Sequence, residues 1–292
     1  MFARVTGVLI GIGLPNPVPG CPGTLLPRWA VAAEQHGFSS LATLDRIVFP
    51  SHESLTSLAA AAAVTDRIGL LTNIVVLPTR DTVVIAKETA TVAAISGGRL
   101  TVGVGVGGRE DDFTATSTRF RDRGRRTDAM LDTMIRAWRG EPVAGSGEPV
   151  VPEVPGGTIP LLIGGYGEPG LRRAVRFGIG WTAGGIPPDQ VAALAARVRT
   201  AWDEAGRDGK PRIVALTYFS LGDDVEERSY SYLRRYYAYT GAADAVAAGA
   251  LRTPKAIQNA LNQYTDAGVD ELIFDPTVAE LSQVDRLAGL VL

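Results

Sequence analysis

Apolar runs of strand length alternate along this chain with longer segments whose apolar positions recur at helical spacing. The runs predict strands at 7–13, 38–44, 68–77, 100–106, 159–164, 179–183, 212–219 and 269–274. The segments between and after them predict helices at 25–36, 55–64, 82–95, 125–138, 170–177, 188–205, 254–267 and 278–288. Gly37 closes the first helix, because glycine takes positive φ without a steric penalty. The strands lack clean in–out alternation: "GLLTNIVVL" at 69–77 is nearly all apolar. Parallel strands covered on both faces have that pattern. Eight strand–helix units in about 250 residues plus insertions match an α/β fold of the (β/α)8 TIM barrel type. An open doubly wound sheet is the competing α/β architecture.

Two stretches break the rhythm. Residues 140–157, "GEPVAGSGEPVVPEVPGG", are half Gly and Pro, which excludes a helix or a central strand. The rhythm resumes unchanged afterwards, so this is read as a surface excursion after the fourth helix, within a single domain spanning 1–292. The second is 223–249, an extra helical segment inserted after the seventh strand.

Charge and composition narrow the function. Lys plus Arg number 29 and Asp plus Glu 31, so the net charge is −2, which argues against nucleic-acid or acidic-membrane partners. A single cysteine, Cys21, excludes an intrachain disulfide framework, and two histidines, His36 and His52, argue against a multi-histidine metal site. No apolar run approaches the ~18–20 residues of a membrane span. The apolar stretch Val8–Leu14 is short, broken by glycine and without an A-x-A pattern, so the expected location is the cytoplasm.

A barrel carries its chemistry at the C-terminal ends of its strands. That selects the loops at 14–24, 45–54, 78–81, 107–112, 165–169, 184–187 and 220–240. Gly103, Gly105 and Gly107 recur with period two and share one face of the fourth strand. A bare face of this kind is either a narrow place in the barrel or room for a large ligand to approach the backbone. "IGGYGEPG" at 163–170 is a strand end, a glycine-rich turn and a helix start, a geometry that offers N–H groups to an anion or serves as a plain βα turn. His52, after the second strand, is either an acid/base or a solvated residue at the start of a helix. The basic run "RFRDRGRR" at 119–126 is a solvated face or a contact to an anionic ligand. "SYSYLRRYYAYT" at 229–240 holds five of the eight tyrosines. It is either a lid over a flat substrate, with Tyr232 and Tyr236 as contacts, or a helix packed on the rim.

Taken together, these segments resemble the luciferase-like monooxygenase superfamily, whose members are flavin- and deazaflavin-dependent barrel oxidoreductases. The most specific stretch is "RIGLLTNIVVLPTRDTVVIAKETATVAAISGGRLTVGVGVG" at 67–107, with "GGREDDF" at 107–113, "IPLLIGGYGEPGLRRAVRFGIGW" at 159–181 and "AGVDELIFD" at 267–275 beside it. The resemblance implies a reduced cofactor, FMN or coenzyme F420, in the barrel mouth and a small organic substrate that receives hydride or oxygen. It implies a non-proline cis peptide at Asn73–Ile74 supporting the ring, and space for ring or tail at Gly105. It also implies a ring-side loop at Gly107 and Gly108 with Asp111 as a polar neighbour, and phosphate donors at Gly164, Gly165, Tyr166 and Gly167. Where many members carry Asp-His after the second strand, this chain has Asp45-Arg46. Arg46 cannot serve as a base near neutral pH but can hold an anion, which leaves His52 as the nearby substitute. The absence of an arginine directly at the end of the fourth strand leans the cofactor toward F420. A separate flavin or F420 reductase and a homodimer are further implications. A non-catalytic flavin-binding barrel is the alternative.

Overall fold

The computed structural model describes residues 4, 5 and 7–292. A short strand β1 (Arg4–Val5) runs antiparallel to β2 (Val8–Gly13). From β2 onward the sheet is parallel: β3 (Ser40–Thr43), β4 (Gly69–Val76), β5 (Leu100–Gly105), β6 (Leu161–Gly164), β7 (Gly180–Thr182), β8 (Arg212–Phe219) and β9 (Glu271–Pro276) pair in chain order. β9 then pairs with β2 and closes the barrel. The helices α1 (Leu25–His36), α2 (Ser54–Ala62), α3 (Thr82–Ile95), α5 (Arg123–Trp138), α6 (Glu168–Phe177), α7 (Pro188–Glu204), α10 (Pro254–Asp266) and α11 (Ser282–Val291) follow the eight barrel strands in turn. A short α4 (Glu110–Ala115) precedes α5, and α8 (Glu226–Tyr236) and α9 (Ala243–Ala248) fill the insertion after β8. The barrel predicted from the alternating pattern is thus the fold observed, and an open sheet is excluded by the β2–β9 pairing. Among the described residues no helix is long and apolar enough to cross a membrane.

Local chemistry sets the helix ends. Gly37 takes φ 92° after α1, and its N–H returns to the last turn. Asp81 caps α3 by accepting from the N–H groups of Val83 and Val84 at 2.9 and 3.0 Å. Thr253 caps α10 in the same way, with Pro254 at the first helical position. The last helix starts at Ser282 rather than 278, because Thr277 is drawn back to β8: its N–H and hydroxyl both reach the Phe219 carbonyl. The excursion at 140–157 is pinned to the main core by buried Val143 and Val154.

Strand parity divides the interior in two. Outward side chains such as Ile10, Ile12, Val104, Trp181, Leu272 and Phe274 pack beneath the helices. Inward side chains, Ala42, Leu71, Leu162, Val214, Leu216 and Ile273, fill the lumen and continue into Tyr232, Leu233 and Tyr236 of α8. The insertion is therefore seated on the barrel mouth. Glycine is obligatory where β7 crosses β8: a Cβ on Gly180 would lie 1.9 Å from the Arg212 carbonyl oxygen. Backbone cannot give way as a side-chain tip can, so Gly180→Ala is expected to destabilise the barrel by about 3 kcal/mol. A urea unfolding midpoint within error of the parent would refute this.

Candidate active site at the barrel mouth

β4 carries the feature that organises the mouth. Its pairing with β5 slips by one residue between Thr72 and Val75, and the Asn73–Ile74 peptide within the slip is cis. The bulge turns Ile74 toward β5 and β6. A Cβ on Gly105 would sit 2.5 Å from Ile74 Cδ1, and Cβ atoms on Gly103 and Gly164 would lie within 3.3 and 3.4 Å of its Cγ2. Gly105 is thus the seat of Ile74, while Gly103 is required first by the Thr72 carbonyl oxygen, 2.1 Å from such a Cβ, and Gly107 by Val76. This revises the expectation that the glycines leave open room for a cofactor: the space is taken by a side chain that itself faces the mouth. Asn73 is buried; its Oδ1 accepts from the Thr182 hydroxyl at 2.6 Å, while its Nδ2 has no partner.

Asp45, past the end of β3, is fixed on two sides. Its Oδ2 accepts from the Val76 N–H at 2.8 Å and its Oδ1 from Arg80 Nη2 at 2.7 Å. Arg80 also pairs with Glu53 at 3.1 Å. Burial pushes the Asp45 carboxyl upward, against the pull of Arg80. Arg46 does not project freely. Its Nη1 donates to the Tyr236 carbonyl at 3.1 Å, its Nη2 lies 3.5 Å from Asp111, and its guanidinium stacks 4.8 Å from the Phe49 ring. The His52 ring Nε2 shares a hydrogen bond of 2.8 Å with the Cys21 carbonyl, and the His52 backbone N–H donates to the Asn16 carbonyl, so the residue ties two mouth loops together. His36 lies at the end of α1, 2.8 Å from Asp285.

The loop after β5 turns at Gly107, with φ 73°, and is fastened by Arg123, whose Nε donates to the Gly107 carbonyl at 3.1 Å. Arg123 of the basic run thus serves the mouth loop, while Arg119, Arg121 and Arg125 are exposed to solvent. Gly108 leads into Arg109, a buried cation held between the rings of Tyr236 and Tyr239 at 4.7 and 4.3 Å. Arg109 Nε has no acceptor, and Asp112 is 3.9 Å away. Asp112 is itself buried and accepts from the N–H groups of Ile47 and Val48 at 3.1 and 2.7 Å, locking the loop after β3 to the loop after β5. Opposite, Gly165 takes φ 122° and Gly167 precedes α6 with no side-chain cap on the first turn. Tyr166 is about half exposed, its hydroxyl lying over Gly184, where a Cβ would come within 2.5 Å.

The α8 insertion packs at the mouth as an aromatic cluster. Tyr218 and Tyr237 place their hydroxyls 2.5 Å apart, Tyr236 packs edge-on against Phe49 and Tyr237, and the Tyr232 hydroxyl is buried without a partner. Burial raises all four phenols, Tyr236 to about 12. Below it, on the lumen face of β9, Asp275 is buried with both carboxylate oxygens unpartnered. Among the described residues no group of three or more His, Cys, Asp or Glu side chains is placed to hold a metal ion.

The structure therefore gathers Asp45, Arg46, Asn73, Ile74, Asp111 and Tyr236 around one mouth. Arg109 and Asp275 escape the sequence reading. Arg109 stands among Gly-Gly and three acids, in a loop with no strand or helix period to orient it. Asp275 has a legible signal: in "ELIFD" the two acids lie four apart in an apolar strand, hence on one face.

A closed parallel barrel with a bulged β4, a glycine-seated inward isoleucine and an aromatic cluster on its rim defines a β/α-barrel enzyme with an enclosed mouth. Residues 21–284 match the luciferase-like monooxygenase family, and the chain belongs to that family of flavin- and F420-dependent oxidoreductases. An uncharacterized protein of Mycobacterium tuberculosis is 31% identical over 222 residues, covering 66% of this chain and 77% of that protein. An F420-dependent glucose-6-phosphate dehydrogenase of Nakamurella multipartita is 30% identical over 195 residues, 61% of this chain and 58% of that one. Among solved structures, monooxygenase RslO1 from Streptomyces bottropensis shares the fold with a TM-score of 0.78, at 23% identity and 97% coverage of both chains.

Proposed function

We propose that this chain transfers hydride between a small organic substrate and coenzyme F420 bound at the mouth, with FMN as the rival cofactor. The observation that carries this reading is a pair of unmet buried donors, one on β4 and one in the loop after β5. Asn73 Nδ2 and Arg109 Nε are buried donors without acceptors, and buried polar groups in native proteins are rarely left so. A ring with a polar edge and an anionic tail would satisfy both. The uncapped start of α6 beyond Gly164, Gly165, Tyr166 and Gly167 adds N–H groups for a phosphate. When bound, the cofactor supplies the two-electron chemistry.

The chain's own residues then have distinct tasks. Ile74 backs the ring; Gly105 allows Ile74 to lie flat. Gly107, Gly108 and Asp111 border it. Asp45 holds the end of β4 through Val76 and Arg80. Arg46 and the Tyr232–Tyr236 face of α8 shape the substrate side. His52 sets the loop against which α2 begins. F420 is preferred because Arg109 reaches the mouth from a loop and is shared with the lid, and because the Nakamurella relative is named for F420. We also propose that a separate reductase recycles the cofactor in the cytoplasm. A homodimer fits the apolar groove between α2 and α3, lined by Leu55, Ala59, Val83, Val84 and Val92.

Anaerobic titration of the protein with F420 and with reduced FMN, read by fluorescence, tests the cofactor. Tighter F420 binding is expected, and binding of neither would defeat the redox reading. Arg46→Ala should lower turnover at least tenfold while cofactor affinity changes less than threefold; equal losses in both would assign Arg46 to the cofactor instead.

A further inference from the structure

Two acids lie on the lumen face of β9, and their surroundings differ in kind. Glu271, at the base of the barrel, is fully satisfied: Oε1 accepts from the Ser39 and Ser40 hydroxyls at 2.5 and 2.7 Å, and Oε2 accepts from Arg212. Asp275, four residues on and at the mouth, is 1% exposed and neither of its oxygens has a partner. Its Oδ1 lies over Gly13, where a Cβ would come within 2.0 Å, so the glycine makes the notch that holds the carboxyl. The titratable groups that feel it are phenols, Tyr218 on β8 and Tyr232 on α8. No cation faces it. An ionised carboxylate in this setting would be far costlier than the neutral acid, and burial holds its carboxyl well above the ordinary range.

A neutral carboxyl offers one O–H donor that needs an acceptor. Among the described residues neither Asp275 oxygen has a partner, and the Tyr232 hydroxyl, whose phenol feels Asp275, is likewise unpartnered. A cavity of about 490 Å³ has Val18, Tyr232, Arg235, Thr277, Val278 and Ala279 in its wall, and Tyr232 is one of the phenols that feel Asp275. We propose that Asp275 is the catalytic acid of this enzyme, donating its proton to the carbonyl oxygen of an uncharged substrate held between β9 and the tyrosine lid.

The proposal rests on the redox reading above and deepens it. In the reducing direction the carbonyl carbon gains a hydride from a reduced deazaflavin or flavin, which is oxidised by two electrons and releases its ring N–H proton to water. The carbonyl oxygen gains the Asp275 proton, giving an alcohol, and the Asp275 carboxylate recovers a proton from water. Asp275 thereby fills the role left open where Arg46 stands.

Infrared difference spectra of the cofactor-free wild type against Asp275→Asn, at neutral pH, test it with acetophenone as the probe. The wild type should show a protonated-carboxyl band absent from the variant, and saturating acetophenone should move both that band and its own ketone band to lower wavenumber. A wild type without the band, or a band and ketone that ignore the probe, would overturn the proposal. Asp275→Ser supplies the same difference should the asparagine variant fold poorly, and loss of the band in either variant separates Asp275 from Asp45, whose carboxyl burial also raises. In F420-loaded protein that reduces acetophenone, Asp275→Asn should lose roughly 100-fold in rate with F420 affinity unchanged; an undiminished rate would also overturn it. A protein with the band and the probe shift but no affinity for F420 or FMN would refute the redox reading and leave the hydrogen-bond donor standing. A protein that binds F420 but lacks the band would refute Asp275 alone.

Discussion

Arg109→Ala is expected to weaken binding of F420 or FMN by roughly 30-fold or more, about 2 kcal/mol, the lower end for truncating one partner of a buried, charge-assisted contact. The guanidinium is already desolvated between Tyr236 and Tyr239, and its Nε has no acceptor. The cost of burying the cation is therefore met in folding, and an anionic tail reaching it gains the hydrogen bond without a further desolvation step on the protein side. The same residue fastens the α8 insertion, so alanine should also make α8 and the turn at 238–240 easier to cleave by protease. Titration by F420 fluorescence separates the two roles. Unchanged affinity with faster cleavage would leave Arg109 as a fastener of that insertion only, and Arg109→Lys would restore charge but neither the paired stacking nor the directed Nε.

How much of this was readable in advance follows from which interactions are local in sequence. Strand and helix periods are local, and they carried the barrel, the insertion at 223–249 and the surface excursion at 140–157. Helix caps such as Gly37 and Asp81 are local too. The bulge at Asn73–Ile74 was legible only through resemblance, because no period in "LLTNIVV" marks it. What Ile74 does was not legible: its seat is made by Gly105 on β5, with Gly164 on β6 beside it, and only barrel closure shows that those two positions face one side chain. His52 illustrates the converse. Its residue type suggested proton transfer, yet its ring nitrogen is engaged by a backbone carbonyl 31 positions away. The tyrosine run was read as either lid or rim packing; the structure shows the rim packing, with Arg109 as the cation that neither reading anticipated.

Glu271→Ala should be among the most destabilising single changes in the chain, at about 3 kcal/mol. One carboxylate gathers the hydroxyls of Ser39 and Ser40 beside β3 and the guanidinium of Arg212 on β8, joining three parts of the barrel wall at its base. Removing it strands two buried hydroxyls and a cation that is less than one-third exposed. The figure is set at the low end for a broken buried pair because Arg212 keeps some contact with water. Against a total stability of about 5–15 kcal/mol for a natural domain, that loss is a large fraction. Glu271→Gln keeps an acceptor for the serines and loses the charge, so it should fall between wild type and alanine. Paired replacement, Glu271→Leu with Arg212→Met, should recover much of the deficit, since a buried ion pair is often matched by apolar packing of similar volume. Urea unfolding followed by circular dichroism orders the four proteins. If the alanine variant lost less than about 1 kcal/mol, the serine–carboxylate–arginine cluster would be a passive filling of the lumen. The order wild type, double variant, Gln, Ala would instead establish that the lower acid of β9 holds the barrel closed at its base.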